Sequence, residues 1–202
     1  MRQYFEDREE AGRELAGKLA HYRGTPDLLV LALPRGGVPV AAEVARRLGA
    51  ELDVLVVRKV AQPFHPELAL AAIATGGARA FNPEAIASTG TTPEQLEALM
   101  APELKELARR EQAYRGDRPP PRIAGRTVIL VDDGIATGAS MQAALQAVRS
   151  LGPARVIVAV PVSPSGTAAA FHPDADDFVS LLSPTEFEAV GWWYRQFPQL
   201  RD

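Results

Sequence analysis

The sequence predicts an α/β fold built on a mostly parallel, twisted sheet flanked by helices. Two apolar runs, "LLVLAL" at 28–33 and "VILV" at 128–131, each lead through a small-residue loop into a segment whose apolar residues recur at helical spacing. A third run, "RVIVAVPV", follows the second of these helices and completes another strand, helix, strand unit. With 202 residues and 47% hydrophobic content, the chain has enough apolar material to cover both faces of such a sheet as one domain spanning residues 1–202.

The elements follow in order. An amphipathic helix over about residues 6–22 sets Ala11, Leu15 and Leu19 on one face and stops near Gly24. After the strand at 28–33 come the exit loop "PRGG", a helix "VPVAAEVARRLG" ended by Gly49, and the strand "LDVLVV". Residues from about 61 to 125 form an insertion with helical and hairpin parts. "LALAAIAT" and "GGARAF" read as two strands around a Gly-Gly turn, with a buried helix from Glu67 as the alternative, because alanine is so common there. Thr92, Pro93 and Gln95 make the cap, first helical position and capping box of a long helix, with a bend expected at Pro102. "RGDRPPPRIAG" holds too many prolines for a regular element and connects back to the sheet. "SPSGTAAAFH" reads as helix, "DDFVSLL" as strand, and the aromatic C-terminal stretch as irregular.

Composition narrows the function. A net charge of -3 offers no footprint for duplex nucleic acid. No run approaches the length of a membrane span, and the charged start "MRQYFEDREE" is unlike a secretory signal, so the expected location is cytoplasmic, away from membranes. The absence of cysteine removes disulfides, thiolate metal sites and cysteine nucleophiles together, and the three histidines lie far apart, so no protein-built metal site is expected.

The stretch "VILVDDGIATGAS" carries the chemistry. In an open parallel sheet, ligands bind beyond the carboxyl ends of the strands, where this loop lies. Its small residues expose backbone N–H groups ahead of a helix and so form a phosphate cradle, to which Thr137 and Ser140 add hydroxyls. Asp132 and Asp133 repel phosphate and should face sugar hydroxyls or a cation instead. A sugar phosphate with a free vicinal diol suits both ends. The loop lacks the Gly-Lys-Ser/Thr ending of a nucleoside triphosphate loop and the G-x-G-x-x-G of a dinucleotide site.

"VILVDDGIATGAS" resembles the phosphoribosyl pyrophosphate signature of type I phosphoribosyltransferases, and the order of elements over about residues 28–162 resembles that family's core. The resemblance implies that Asp132 and Asp133 bind the ribose hydroxyls and that Gly134, Ile135, Ala136, Thr137, Gly138, Ala139 and Ser140 hold the 5-phosphate. It gives "PRGG", by itself equally an ordinary turn, the role of pyrophosphate loop: Pro34, Arg35, Gly36 and Gly37, with a cis bond between Pro34 and Arg35. Arg58 and Lys59 follow at a strand end, with Lys59 the favoured phosphate partner and, beside Asp132 and Asp133, a catalytic group.

The activity so implied is transfer of ribose 5-phosphate from phosphoribosyl pyrophosphate to a nitrogenous base in nucleoside metabolism, with Mg²⁺ held through substrate oxygens and water. A small C-terminal hood around Phe187, Trp192, Trp193 and Tyr194, or the insertion, would cover the acceptor, although such aromatics more often pack or meet another subunit. Ala136 stands where 6-oxopurine-specific members carry an acid, and "AQPFHPELA" offers only His65 and Glu67 for proton transfer where orotate-type members place lysine. Both classes are disfavoured. A sensing regulator that keeps the pocket without turnover is the alternative, a phosphosugar hydrolase a weaker one, and a homodimer the default assembly.

Overall fold

The computed structural model describes residues 4–201, without the side chains of His65 and Glu67. Five parallel strands form the main sheet in the order β2-β1-β6-β7-β8: β1 (Leu28–Ala32), β2 (Glu51–Val54), β6 (Thr127–Val131), β7 (Arg155–Val162) and β8 (Asp177–Leu182). A second, antiparallel sheet of β3 (Val57–Gln62), β4 (His65–Ala74) and β5 (Ala78–Phe81) stands beside it.

Period-2 alternation divides the main sheet into two apolar faces. Leu29, Leu31, Val128, Leu130, Val156 and Val158 pack on α5 (Ala139–Ser150). Val30, Ala32, Ile129, Val131, Ile157 and Ala159 pack on α1 (Arg8–Lys18) and α2 (Gly37–Leu48). The first of these helices runs shorter than the apolar period suggests, and the second has the expected bounds. The N-terminal helix starts at Arg8, capped by Asp7, and after Leu19 tightens into a 3-10 turn at Ala20–Tyr22, whereas α2 ends where Gly49 turns left-handed at φ 68°.

"LDVLVV" is not one strand. β2 stops at Val54, and after Leu55 and Val56, both fully buried, the chain crosses into the second sheet as β3. The excursion therefore begins at Val57 rather than at Ala61. The hairpin reading of the next stretch is right and the helix from Glu67 is not: Ala74 and Ala78 pair across the turn at Thr75–Gly77.

One helix is missing from the sequence reading. This is α3 (Pro83–Thr89), capped by Asn82 and stopped by left-handed Gly90. Next, α4 (Pro93–Arg115) opens on the expected capping box and runs on through Pro102. Pro102 and Ala98 are both exposed, so water can reach the carbonyl that the proline leaves without a donor. Val56, Val60, Ala71 and Ile73 pack there against Met100 and Leu107, a separate small core.

α6 (Thr167–Phe171) and β8 follow as expected. Among the described residues no helix is long and apolar enough to cross a membrane.

Candidate functional site

β1 and β6 are neighbours, and the chain leaves them in opposite directions, toward β2 and toward β7. This is the sheet's switch point, where a crevice opens beyond the strand ends. The strands end level, with Ala32 opposite Val131 and the Leu33 N–H donating to the Val131 carbonyl at 2.9 Å. The "PRGG" loop and the "DDGIATG" loop consequently emerge side by side.

The two loops touch. A Cβ on Gly36 would lie 2.1 Å from Oδ2 of Asp133, and one on Gly37 would lie 2.5 Å from the Val131 carbonyl. Neither glycine has a positive φ. Both are needed because no side chain fits between the loops. The Pro34–Arg35 bond is cis, as the resemblance implies. The Gly37 N–H donates to the Leu33 carbonyl at 3.0 Å, so it is not available to an anion, whereas that of Gly36 has no backbone acceptor among the described residues.

Beyond the acids, the Ile135 N–H donates to Val162, while those of Ala136, Thr137 and Gly138 have no backbone acceptor among the described residues. Gly138, left-handed at φ 80°, caps α5, whose first-turn N–H groups face the same way. A cavity of about 170 Å³ lies against this loop, lined by Asp132, residues 134–141 and Val190.

A second cavity, of about 230 Å³, lies on the other side of Asp132, between Leu33, Pro34, Arg58, Lys59, Arg110 and Ser140. Its cations differ. Arg58 is held by Glu103 of α4 at 2.6 Å, and Arg110 by Glu106 at 2.8 Å, whereas Lys59 has no ion-pair partner among the described residues. Both arginines keep further N–H groups, and Lys59 has none of its charge committed to an ion pair among the described residues.

The acids are not equivalent. Oδ1 of Asp132 accepts the Asp133 N–H at 2.8 Å, and Oδ2 of Asp133 accepts Nε–H of Arg8 at 2.8 Å. Among the described residues, one oxygen on each carboxylate is left over. Burial and the charge of Asp133 push Asp132 well above the usual carboxylate range. Burial raises Asp133 too, with Arg8 opposing.

Asp133, expected to face sugar hydroxyls or a cation, already faces a cation that the protein itself supplies. Arg8 was missed because its partner lies 125 residues away. A buried arginine in the first turn of a helix, against the helix dipole, was the available signal.

The C-terminal aromatics mostly pack. Trp193 and Tyr194 are buried with Phe5, and the Tyr194 hydroxyl donates to the Asp133 carbonyl at 2.6 Å. Burial, then the nearby Asp133 charge, pushes that phenol up. Val190 closes on Gly134, where a Cβ would meet its methyl at 2.6 Å. His65 and Glu67 lie on β4, their side chains outside the described residues.

A family model described as "Phosphoribosyl transferase domain" matches residues 3–195. A protein of Mycobacterium tuberculosis, provisionally named a phosphoribosyl transferase, is 46% identical over 198 residues, which is 98% of this chain and 44% of that protein. The chain thus spans less than half the length of this relative. The crystal structure of TT1426 from Thermus thermophilus superposes with a TM-score of 0.90 at 46% identity, covering 98% of this chain and 94% of that one. A purine phosphoribosyltransferase from Pyrococcus horikoshii shares the fold, with a TM-score of 0.51 at 17% identity over 100% of this chain and 99% of that one.

Proposed function

The chain belongs to the phosphoribosyl transferase domain family, and from that premise we propose that it moves ribose 5-phosphate from phosphoribosyl pyrophosphate to a nitrogenous base, releasing pyrophosphate. One observation carries the reading. At the switch point, N–H groups of the loop after β6 that have no backbone acceptor among the described residues stand next to two carboxylates, each with one oxygen unbonded among those residues. A 5-phosphate suits the first and a vicinal diol the second.

In this reading Ala136, Thr137, Gly138 and the first turn of α5 hold the 5-phosphate, with Thr137 and Ser140 hydroxyls beside them. Gly134, Ile135 and Ala139 complete the turn. Asp132 and Asp133 orient the ribose. The loop Pro34, Arg35, Gly36 and Gly37, with Lys59 and Arg58 across the cavity, holds pyrophosphate as it departs.

The bond from the anomeric carbon to the pyrophosphate oxygen breaks and its electron pair leaves with that oxygen. The base nitrogen bonds to the same carbon from the opposite face. Positive charge develops on the ribose ring, and the free Asp132 oxygen is placed to offset it. Fixed loops and committed side chains position the reactants before any bond changes.

Among the described residues no cluster of three or more His, Asp or Glu side chains stands ready to hold a metal. The donor set nonetheless fits a hard cation shared with substrate, since the Asp132 carboxylate makes no ion pair among the described residues and repels its neighbour. Mg²⁺ held by substrate oxygens and water near Asp132 would supply charge neutralisation for the leaving group.

The test is pyrophosphate release from phosphoribosyl pyrophosphate with Mg²⁺ and a panel of purine and pyrimidine bases. Release that depends on one base supports the transferase. Sugar-phosphate binding with no release for any base argues for a sensor, and release without a base argues for a hydrolase.

A further inference from the structure

The brace beneath the acid corner extends the proposed reading and rests on it. Arg8 is 7% exposed and committed on three sides. Its Nε–H donates to Oδ2 of Asp133 at 2.8 Å, its Nη1 donates to the Pro198 carbonyl at 3.0 Å, and its guanidinium lies 3.8 Å from the centre of the Phe197 ring. These partners come from the loop after β6 and from the C-terminal segment, so one side chain ties both to α1.

The surroundings leave Arg8 little choice of position. The N-terminal stretch pairs with the C-terminal one, Phe5 N–H to the Trp193 carbonyl and Arg195 N–H back to Phe5, each at 2.9 Å. One helical turn beyond Arg8, Gly12 crosses α2 so closely that a Cβ would lie 2.7 Å from the Val40 carbonyl. The close approach of α1 to α2 at Gly12 keeps Arg8 within reach of Asp133. On its other side, Asp133 is confined by Gly36, where no side chain intervenes, and its carbonyl is bound by Tyr194.

A carboxylate on a freely rotating side chain would present either oxygen to a ligand, or neither. Here one oxygen is taken, the rotation is stopped, and the remaining oxygen has a fixed direction. We propose that Arg8 is a positioning residue for the sugar, holding Oδ2 of Asp133 so that Oδ1, together with the free oxygen of Asp132, presents a preset pair of acceptors to the ribose diol. Arg8 touches no substrate in this account. It acts through Asp133, and lysine replaces it poorly because an ammonium lacks the planar fork that reaches Asp133 and Pro198 together.

Calorimetric titration with ribose 5-phosphate and with 2-deoxyribose 5-phosphate reads this directly, in wild type, Arg8→Met and Arg8→Lys, each below its melting temperature. Wild type is expected to favour the ribose sugar about tenfold or more, the scale of one hydrogen bond to a charged group. Arg8→Met should bind both sugars with nearly equal affinity, and Arg8→Lys should regain part of the preference. A role in folding alone would lower the melting temperature and leave the ratio untouched.

An Arg8→Met protein with the wild-type ratio overturns the proposal. If that variant does not fold, Arg8→Lys decides, and a ratio equal to wild type in it overturns the proposal as well. Wild type that binds neither sugar, or does not discriminate between them, instead rejects the sugar site on which the inference rests.

Discussion

Two buried arginine–aspartate pairs, built from the same residue types, are wired in opposite ways. Arg115 closes both oxygens of Asp53 in a fork, at 2.9 and 2.8 Å, and gives two more of its N–H groups to the carbonyls of Arg118 and Pro119. Burial alone would raise Asp53, but Arg115 and the Val54 N–H outweigh it and hold that carboxyl below its ordinary value. Arg8 gives Asp133 a single bond, with Asp132 crowding alongside, and both acids are pushed up. The first pair is saturated and pins the end of α4 to β2. The second is left short of positive charge and donors at the mouth of a crevice, which is what a ligand-binding acid site needs.

Arg115→Met therefore tests the saturated pair and should give the largest loss of stability. Removing one partner of a buried pair costs about 3–5 kcal/mol, read as a shift in the urea midpoint. Its effect on sugar-phosphate affinity should be far smaller. A midpoint within error of wild type would show that the two pairs are not different in kind.

Asp132→Asn should do the reverse. Losing charged hydrogen bonds to the diol, each worth about 1.5–3 kcal/mol, should weaken sugar-phosphate binding by about tenfold to a hundredfold. Folding stability should rise, because a repelled and buried charge is gone. The sign of the pH dependence checks the cause. Asp132 has a raised folded-state value, so the native state holds that proton more tightly, and wild type should lose stability as pH climbs from about 4 toward neutrality. Asp132→Asn should show a smaller decline, the remainder coming from Asp133, which burial also raises, and its advantage over wild type should be widest at neutral pH. For Asp53 the sign is opposite: its contribution is present at neutral pH and fades only as pH falls below its ordinary value. Asp133→Asn should cost folding stability as well as binding, since it would leave Arg8 buried without a charged partner.

Gly12→Ala comes next. Its methyl would press on the Val40 backbone, and overpacking of this kind costs about 1–3 kcal/mol. Lifting α1 should also loosen Arg8, so thermal melts and sugar titrations should move together. Thr92→Ala, which removes half of the capping box of α4, should cost about 1 kcal/mol in a melt and leave the acid corner alone.

What the sequence made legible was local. The strand, the small-residue loop and the helix around Asp132 follow from an apolar run, the Gly and Thr spacing and the period of Met141, Leu145 and Val148, and the structure has all three. The capping box at Thr92 is equally local. The α3 helix was legible as well, from Asn82, Pro83 and Gly90, yet the reading left this short stretch between the hairpin and the capping box unassigned.

What was hidden depends on distant segments. Nothing near Leu55 and Val56 says that the chain changes sheets there, because both are buried either way. Gly36 and Gly37 looked like anion-binding glycines; their tightest constraint is the neighbouring loop from the other half of the chain. Arg8 carries no mark of its partner beyond its awkward place at a helix start.

The most direct test of the acid corner is a crystal grown with phosphoribosyl pyrophosphate and Mg²⁺. The 5-phosphate is expected against the N–H groups of Ala136, Thr137 and Gly138, and the ribose diol on the free oxygens of Asp132 and Asp133, with Arg8 still bonded to Asp133. A bound sugar whose hydroxyls meet neither acid, or a corner in which protein side chains take up those two oxygens while the ligand lies elsewhere, would contradict it.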